Sequence, residues 1–180
     1  MAVTINGNGT ITGATTLTNF DVYGSTGSFK AYVSSDPAES LNSDTIIPFD
    51  AKLWDTKGWF DTSTYRYTPQ IAGYYHLFCC VGFENILSND NEGFYVKFRK
   101  NGSNFISPRA RYGYDDTFGN RYSPMTDIFL QFNGSTDYVE CFYHTSDGNV
   151  VGGDLTTESS VSEISASDVT QMWGYLVEPS

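Results

Sequence analysis

Short runs of alternating apolar and polar residues, separated by turn-forming residues, follow one another from Ser28 to the C-terminus. In the first run Phe29, Ala31 and Val33 alternate with polar neighbours, which is the pattern of a half-buried strand. No stretch shows the spacing of an amphipathic helix without interruption by Gly, Pro or β-branched residues. We therefore expect about eight to ten strands and almost no helix, as in a two-sheet jelly roll.

Two Asn-Gly pairs predict tight turns between strands. Asn101-Gly102 separates two apolar-rich runs, and Asn133-Gly134 is placed in the same way further along the chain. Because a two-residue hairpin turn needs positive φ angles, which Asn and Gly tolerate, we expect a hairpin at each pair. Pro48 interrupts residues 45–55 and removes a hydrogen-bond donor there, which indicates an edge strand or a bulge.

Residues 59–84 concentrate aromatic side chains around Pro69 and Gly73, which predicts two strands joined by a tight reversal. In the second strand, a period of two divides the side chains between two faces. One face holds Tyr75, Leu77, Cys79 and Val81, and the other holds Tyr74, His76, Phe78 and Cys80. Both faces are largely apolar, and no helix is predicted that could cover the second face. We therefore expect another part of an assembly to cover it.

The start of the chain differs from the rest. Residues 1–27 hold no Lys or Arg and repeat Thr, Gly and Asn around single apolar residues, so they cannot close a core within one chain. We interpret them as a polar extended arm or stalk segment, with a disordered leader as the alternative. Residues 28–180 form one domain in this interpretation, and residues 170–178 predict a closing strand that ties the C-terminus into the sheet.

Composition narrows the range of partners. Aromatic residues make up 16% of the chain and charged residues 17%, so ring packing must dominate the core of an all-β domain. The net charge of −11 argues against nucleic acid and anionic membrane surfaces, because both require Lys and Arg. The chain shows neither a signal peptide nor an apolar run of membrane-spanning length. We therefore expect that the chain does not insert into a membrane. We also expect that it is made in the cytoplasm of a host.

Three stretches, in order, resemble the globular head of the complement first component and its tumour-necrosis-factor-like relatives. Residues 60–78 resemble the aromatic signature with a central Pro and Gly, residues 98–102 the strand ending in Lys-Asn-Gly, and residues 172–177 the closing strand. The resemblance spans about residues 28–180 and implies an antiparallel jelly roll that forms a homotrimer. Residues 133–137 depart from the Gly-Asp of many members, so a different turn is expected there. The collagen-like stalk of the complement relatives is missing, and the polar arm takes its place.

The resemblance assigns the second face of the central strand to the contact between three copies of the chain. The residues expected at this trimer interface are His76, Phe78, Cys80, Phe142 and Tyr175. The resemblance also places Cys79 or Cys80 beside Cys141 in a neighbouring strand. We expect free thiols at these positions.

One stretch combines Arg and Tyr in the proportions of a recognition surface. Its members are Arg109, Arg111, Tyr112, Tyr114, Arg121 and Tyr122. A strand and hairpin with core tyrosines is the alternative. Asp115 and Asp116 in the same stretch are candidate calcium ligands, because calcium accepts carboxylates in loose geometry. With Asp154 or Glu158 they also form the best candidate pair of carboxylates for glycoside hydrolysis. Acidic residues in such loops belong to solvated turns more often than to catalytic pairs, so we expect no catalytic residues. We also expect no cofactor apart from this calcium.

These observations favour a non-enzymatic, trimeric tip domain of a bacteriophage fibre that binds a host-surface receptor or glycan. The start of the chain, residues 1–13, resembles that of some phage tail-fibre and virion proteins, which indicates a place in the virion beside other fibre or capsid proteins. A capsid-decorating structural protein and a polysaccharide-degrading, tailspike-like enzyme are the alternatives.

Overall fold

A computed structural model describes residues 27–34, 44–82, 96–103, 124–144 and 170–180. It also describes the backbone of residues 4–5, 11–12, 83–84, 94–95, 104, 145 and 154–155. Within these ranges the regular elements are strands. None of the described residues forms a helix long and apolar enough to cross a membrane.

The described strands range from two to nine residues in length. In chain order they are β1 (Thr4–Ile5), β2 (Ile11–Thr12), β3 (Phe29–Tyr32), β4 (Thr45–Ile46), β5 (Ala51–Asp55), β6 (Phe60–Asp61), β7 (Arg66–Tyr67), β8 (Ala72–Cys80), β9 (Phe83–Glu84), β10 (Phe94–Lys100), β11 (Ser103–Asn104), β12 (Met125–Asn133), β13 (Val139–Thr145), β14 (Asp154–Leu155) and β15 (Gln171–Pro179). β1 pairs with β2 and β9 with β14. Apart from β1, β2 and Gly27, the predicted arm lies outside the described residues.

Two antiparallel sheets enclose the core. The five-stranded sheet has the order β12-β8-β15-β3-β5, and the six-stranded sheet has the order β11-β10-β13-β7-β6 with β4 paired to β13. The closing strand β15 lies between β8 and β3, and the backbone N–H of Ser180 donates to the carbonyl of Ala72 at 3.0 Å. The predicted all-β antiparallel sandwich, with its C-terminus tied into a sheet, is confirmed.

Aromatic rings fill the space between the two sheets. Phe29 stacks on Tyr67 with 4.1 Å between ring centroids, and Tyr75 meets Phe132 edge-on at 5.3 Å. The Tyr67 hydroxyl donates to the carbonyl of Gly27 at 2.5 Å, which satisfies the polar end of a fully buried ring. Burial raises the pKa of Tyr67, and it raises the pKa of Tyr75 to about 12, so both hydroxyls remain protonated donors.

The division of β8 into two faces is confirmed. The inner side chains Tyr75, Leu77, Cys79 and Val81 are buried completely. Tyr74, His76 and Phe78 lie on the outer face and keep partial contact with solvent, whereas Cys80 on the same face is buried. The outer face of the five-stranded sheet therefore carries apolar side chains that remain partly exposed among the described residues.

One of the two predicted hairpins is confirmed and the other is wrong. Asn101 and Gly102 have φ angles of 53° and 74° and join β10 to β11. At the second pair only Gly134 has a positive φ. β12 pairs with β8, whereas β13 pairs with β10, so residues 134–138 cross from one sheet to the other. The Oδ1 atom of Asn133 accepts the backbone N–H groups of Ser135, Thr136 and Asp137, which holds the chain in this wider turn.

Two other stretches divide into more strands than their hydrophobic pattern indicates. Residues 45–55 form β4 in one sheet and β5 in the other, with Pro48 between them, because Pro has no backbone N–H to continue the ladder. Residues 59–84 form β6, β7, β8 and β9 rather than two strands. Asp55 stabilises the turn before β6 by accepting the backbone N–H groups of Gly58, Trp59 and Phe60.

The two ends of the sandwich differ in what they carry. Gln171 pairs with both Tyr32 and Cys80, and Cys80 pairs with Met125, so these four residues mark one end of the five-stranded sheet. Residues 35–43, 105–123 and 156–169 connect to the strands at this end, which we call the far end. β3 runs antiparallel to β15, so residues before Phe29 approach from the opposite end, where Ser180 also lies. We call that end the arm end.

Gly174 provides a direct test of the packing between β15 and the core. A Cβ atom at Gly174 would lie 2.5 Å from Leu77 Cδ2 and 2.9 Å from the His76 carbonyl oxygen. We expect Gly174→Ala to lower the free energy of unfolding by about 1–3 kcal/mol in denaturant titrations, because a packed core resists added volume. Glu178→Ala, at an exposed position of the same strand, is the control and should change stability by less than about 0.5 kcal/mol. Equal effects would contradict the close packing at Gly174.

Candidate functional site

The large hydrophobic side chains that are exposed among the described residues all lie on the five-stranded sheet. They are Trp54 at 44% exposure, Tyr74 at 46%, Met125 at 49%, Phe129 at 61%, Tyr175 at 41% and Val177 at 41%. Together with His76, Phe78 and Trp173 they form a surface that we call the aromatic face. Contiguous exposed apolar surfaces of this kind mark interaction sites in soluble proteins.

The rings of the aromatic face are stacked on one another. His76 stacks on Phe129 with 4.5 Å between centroids, and Phe78 stacks on Trp173 at 5.1 Å. Trp173 and Tyr175 lie nearly parallel at 6.3 Å. Because the rings restrict one another before any partner binds, little side-chain freedom remains to be lost on association.

A polar triad fixes the position of His76 within this face. His76 Nε2 lies 3.0 Å from Asp127 Oδ2, and His76 Nδ1 lies 3.4 Å from the Tyr175 hydroxyl. The tautomer with its proton on Nε2 satisfies both contacts, since Nε2–H donates to the carboxylate and Nδ1 accepts from the hydroxyl. These two contacts hold the His76 ring in one orientation on the outer side of the sheet.

The structure brings most of the predicted interface residues together. His76, Phe78 and Tyr175 belong to the aromatic face, and Cys80 lies in the same row as Met125 but is only 3% exposed. Phe142 does not join them. It lies on β13 in the six-stranded sheet, where the Arg99 guanidinium covers its ring at 3.9 Å. The expectation that Phe142 shares the outer face of β8 is therefore wrong, because β13 belongs to the opposite sheet.

All three cysteines are buried free thiols. Cys79 lies beside Cys141, as the resemblance implies, but the two residues belong to β8 and β13 in opposite sheets and meet across the core, so only the expected neighbouring-strand placement is wrong. Burial raises the pKa of the Cys141 thiol, and its contact with Cys79 raises it further. Its Sγ also lies 3.7 Å from Met172 Sδ. A protonated, buried thiol of this kind acts as a small core side chain.

A charged cluster that the sequence analysis missed lies on the outer side of the six-stranded sheet. Asp44 Oδ2 lies 2.5 Å from Arg99 Nη2, and Asp44 Oδ1 contacts both His144 Nδ1, at 2.9 Å, and Lys97 Nζ. Burial alone would raise the pKa of Asp44. The hydrogen bond from Lys97 and the nearby charges of Lys97, Arg99 and His144 outweigh burial, and the pKa is lowered. Lys97 and Arg99 alternate along one strand, which is the signal that indicates a shared polar face.

The predicted recognition and calcium residues lie outside the described residues. This applies to Arg109, Arg111, Tyr112, Tyr114, Asp115, Asp116, Arg121 and Tyr122. Residues 105–123, which contain them, connect β11 to β12, and β12 begins at the far end. Within the part of the chain that is described, no group of three or more His, Cys, Asp or Glu residues could hold a metal ion.

Comparisons with solved structures agree with this architecture. The globular domain of the zebrafish complement 1qA protein is 14% identical, with a TM-score of 0.52, and the alignment covers 86% of this chain and 99% of that one. Murine APRIL is 9% identical, with a TM-score of 0.53, covering 83% of this chain and 98% of that one. No family model and no curated protein sequence matches the chain.

This chain has the tumour-necrosis-factor-like jelly-roll fold. The resemblance based on three short stretches is thereby confirmed at the level of the fold. Identities of 14% and 9% support the shared jelly roll alone, and they do not transfer the binding properties of either protein.

The charged cluster should make the stability of the fold depend on pH. The pKa of Asp44 is lower in the folded chain than the 3.8 of an unperturbed carboxyl group, so the ionised form stabilises the fold above that value. This contribution is lost as the pH falls from about 3.8 through the folded pKa. We expect Asp44→Asn to cost about 1 kcal/mol at pH 7 in denaturant titrations, and the difference from the wild type to shrink below pH about 4. A difference that stays constant down to pH about 2 would contradict this role.

Proposed function

We propose that the chain is a non-enzymatic, homotrimeric domain at the tip of a bacteriophage fibre, where it binds the host surface. The aromatic face carries this proposal, because it gathers every exposed large hydrophobic side chain of the described residues onto one sheet. A second copy of the same chain is a readily available partner for such a face, since other copies are always present at the site of synthesis. The resemblance to complement-head and tumour-necrosis-factor-like domains implies three copies.

The direction of the strands supports an arrangement as a fibre tip. The polar arm precedes Gly27 and approaches from the arm end, whereas residues 35–43, 105–123 and 156–169 connect at the far end. A threefold axis parallel to the strands would gather three arms on one side and present three sets of these segments on the other. In this arrangement the arms continue into the fibre and the far end faces the host.

The receptor surface in this proposal is the stretch that contains Arg109, Arg111 and Arg121 with their neighbouring tyrosines. Arg and Tyr supply much of the binding energy at recognition surfaces, because both offer large contact areas with polar ends. The net charge of −11 makes the chain as a whole repel acidic surfaces, so an acidic group on a cell surface would be held by the local positive charge of these three arginines. Acidic surface glycans and acidic receptor loops both fit this chemistry.

The first prediction concerns the oligomeric state. We expect light scattering to give three times the 20.0 kDa chain mass, and Phe129→Lys to give a folded monomer. Phe129 is 61% exposed in the single chain, so lysine is tolerated there, whereas burying its charge between copies is strongly unfavourable. Thr64→Lys, on an exposed turn of the other sheet, adds the same charge and should remain trimeric. A monomeric wild-type protein would overturn the trimer.

The second prediction concerns the host surface. We expect the double variant Arg111→Ala, Arg121→Ala to lose at least about tenfold in affinity for host cells in binding assays with the labelled protein. Its scattering mass should remain that of the wild type. Lys57→Ala, which removes a positive charge from an exposed turn at the arm end, should bind normally. Unchanged binding by the double variant would remove these residues from the receptor surface.

Two experiments distinguish the alternative functions. Antibody labelling of virions in negative-stain images should mark fibre tips, whereas a decorating protein would be labelled over the capsid. The enzymatic alternative requires polysaccharide cleavage that disappears in Asp115→Asn and Asp116→Asn variants. Cleavage by the wild type that both variants lack would replace the non-enzymatic proposal.

A further inference from the structure

Lys30 is a buried cation on the outer side of the five-stranded sheet. It is only 6% exposed, and the strand register places it between Trp54 on β5 and Trp173 on β15. No hydrogen bond or ion pair to its ammonium group is present among the described residues. The other described lysines and arginines, except the exposed Lys57, pair with carboxylates of the same chain. The buried position of Lys30 therefore needs an explanation.

An acidic partner would explain this position if the aromatic face is covered. A covering protein removes the last water contacts of the Lys30 ammonium group, and an unpaired buried charge is strongly destabilising. The covering surface must therefore bring an acceptor, and a carboxylate is the strongest acceptor for an ammonium group. The chain that covers the face should carry a carboxylate at the height of Lys30.

The same row of the sheet offers such a carboxylate at its opposite edge. Lys30 pairs with Trp173, Trp173 with Phe78, and Phe78 with Asp127, so one row crosses the sheet from the cation to the anion. The Asp127 side chain is 57% exposed on the edge strand β12. Its contact with His76 involves Oδ2, and a carboxylate has a second oxygen, Oδ1, that can accept a further hydrogen bond.

We infer that Lys30 forms an intermolecular ion pair with Asp127 of the neighbouring copy in the homotrimer. The inference rests on the proposed trimer with its axis parallel to the strands. Rotation about such an axis does not change the position of a residue along the axis. The residues paired across the sheet of one copy therefore meet the same residues of the next copy. The contact is head-to-tail, with the Lys30 side of one sheet against the Asp127 edge of its neighbour. The pair then fixes the register of an otherwise apolar, non-directional contact.

A charge exchange tests the pair in the full-length chain. We expect Lys30→Glu and Asp127→Lys each to raise the concentration at which the trimer dissociates by at least about 100-fold, because each places like charges together. The double variant carrying both changes should recover most of this loss. Lys57→Glu has the same charge change as Lys30→Glu at an exposed turn, and it should dissociate like the wild type. Analytical ultracentrifugation measures the dissociation, and near-ultraviolet circular dichroism checks that each variant is folded.

The double variant also excludes the loss of the contact between Asp127 and His76 within one chain as the explanation of the single-variant result. Asp127→Lys breaks the contact between Asp127 and His76 in the single chain, and the second substitution does not restore it. Recovery in the double variant can therefore come only from the exchanged pair between copies. If one single variant fails to fold, recovery of folded trimer in the double variant still supports the pair, and a double variant that does not form trimer overturns it.

The outcomes separate this inference from the proposed function. A wild-type trimer whose stability is unchanged by both single variants would overturn the ion pair and leave the trimer intact. A trimer lost in the single variants and not recovered in the double variant would also overturn the pair. A wild-type chain that is monomeric at all concentrations would overturn the trimer and the pair together.

Discussion

The fold depends on a central strand that is apolar on both sides. The inner side chains of β8 are buried between the two sheets, where they meet the ring of Phe132 and the buried side chain of Met172. The outer side chains stack against rings from β12 and β15. An antiparallel sheet at the surface normally alternates apolar and polar positions, because only one of its faces is buried. This sheet has two apolar faces, and both the aromatic face and the proposal of a homotrimer depend on that single feature.

Local patterns in the sequence predicted the strands well and their partners less well. The period of two in β8 and the positive φ angles of Asn101-Gly102 depend on neighbouring residues, so a single sequence contains them. Asn133-Gly134 has the same letters, but there the Asn side chain holds a wider turn of its own. A turn signal tells where a strand ends. It does not tell which sheet the next strand joins, and that choice depends on burying β13 against β10 and β7.

The same limit explains which site residues could be predicted. His76, Phe78 and Tyr175 follow from periodicity within strands, together with the pairing of β8 and β15. Phe142 and Cys141 were misplaced because both depend on the sheet to which β13 belongs. No local pattern in the sequence indicates the ion pairs of Asp44 or the burial of Lys30. Asp44 gains its role from residues on β10 and β13, and Lys30 is buried because tryptophans from two neighbouring strands lie beside it.

The distribution of charge reconciles self-association with an acidic chain. Copies with a net charge of −11 repel one another, so an interface between them must be nearly free of acidic groups. The aromatic face meets this condition, because Asp127 is the single carboxylate in the rows that contain Lys30 and His76. Residues 146–169 contain Asp and Glu without Lys or Arg, and their last residues enter β15 at the far end. The sequence therefore concentrates negative charge in this segment, and salt screens repulsion between charges in water. In the proposed homotrimer, burial of the aromatic face would therefore have to outweigh the mutual repulsion of three acidic chains.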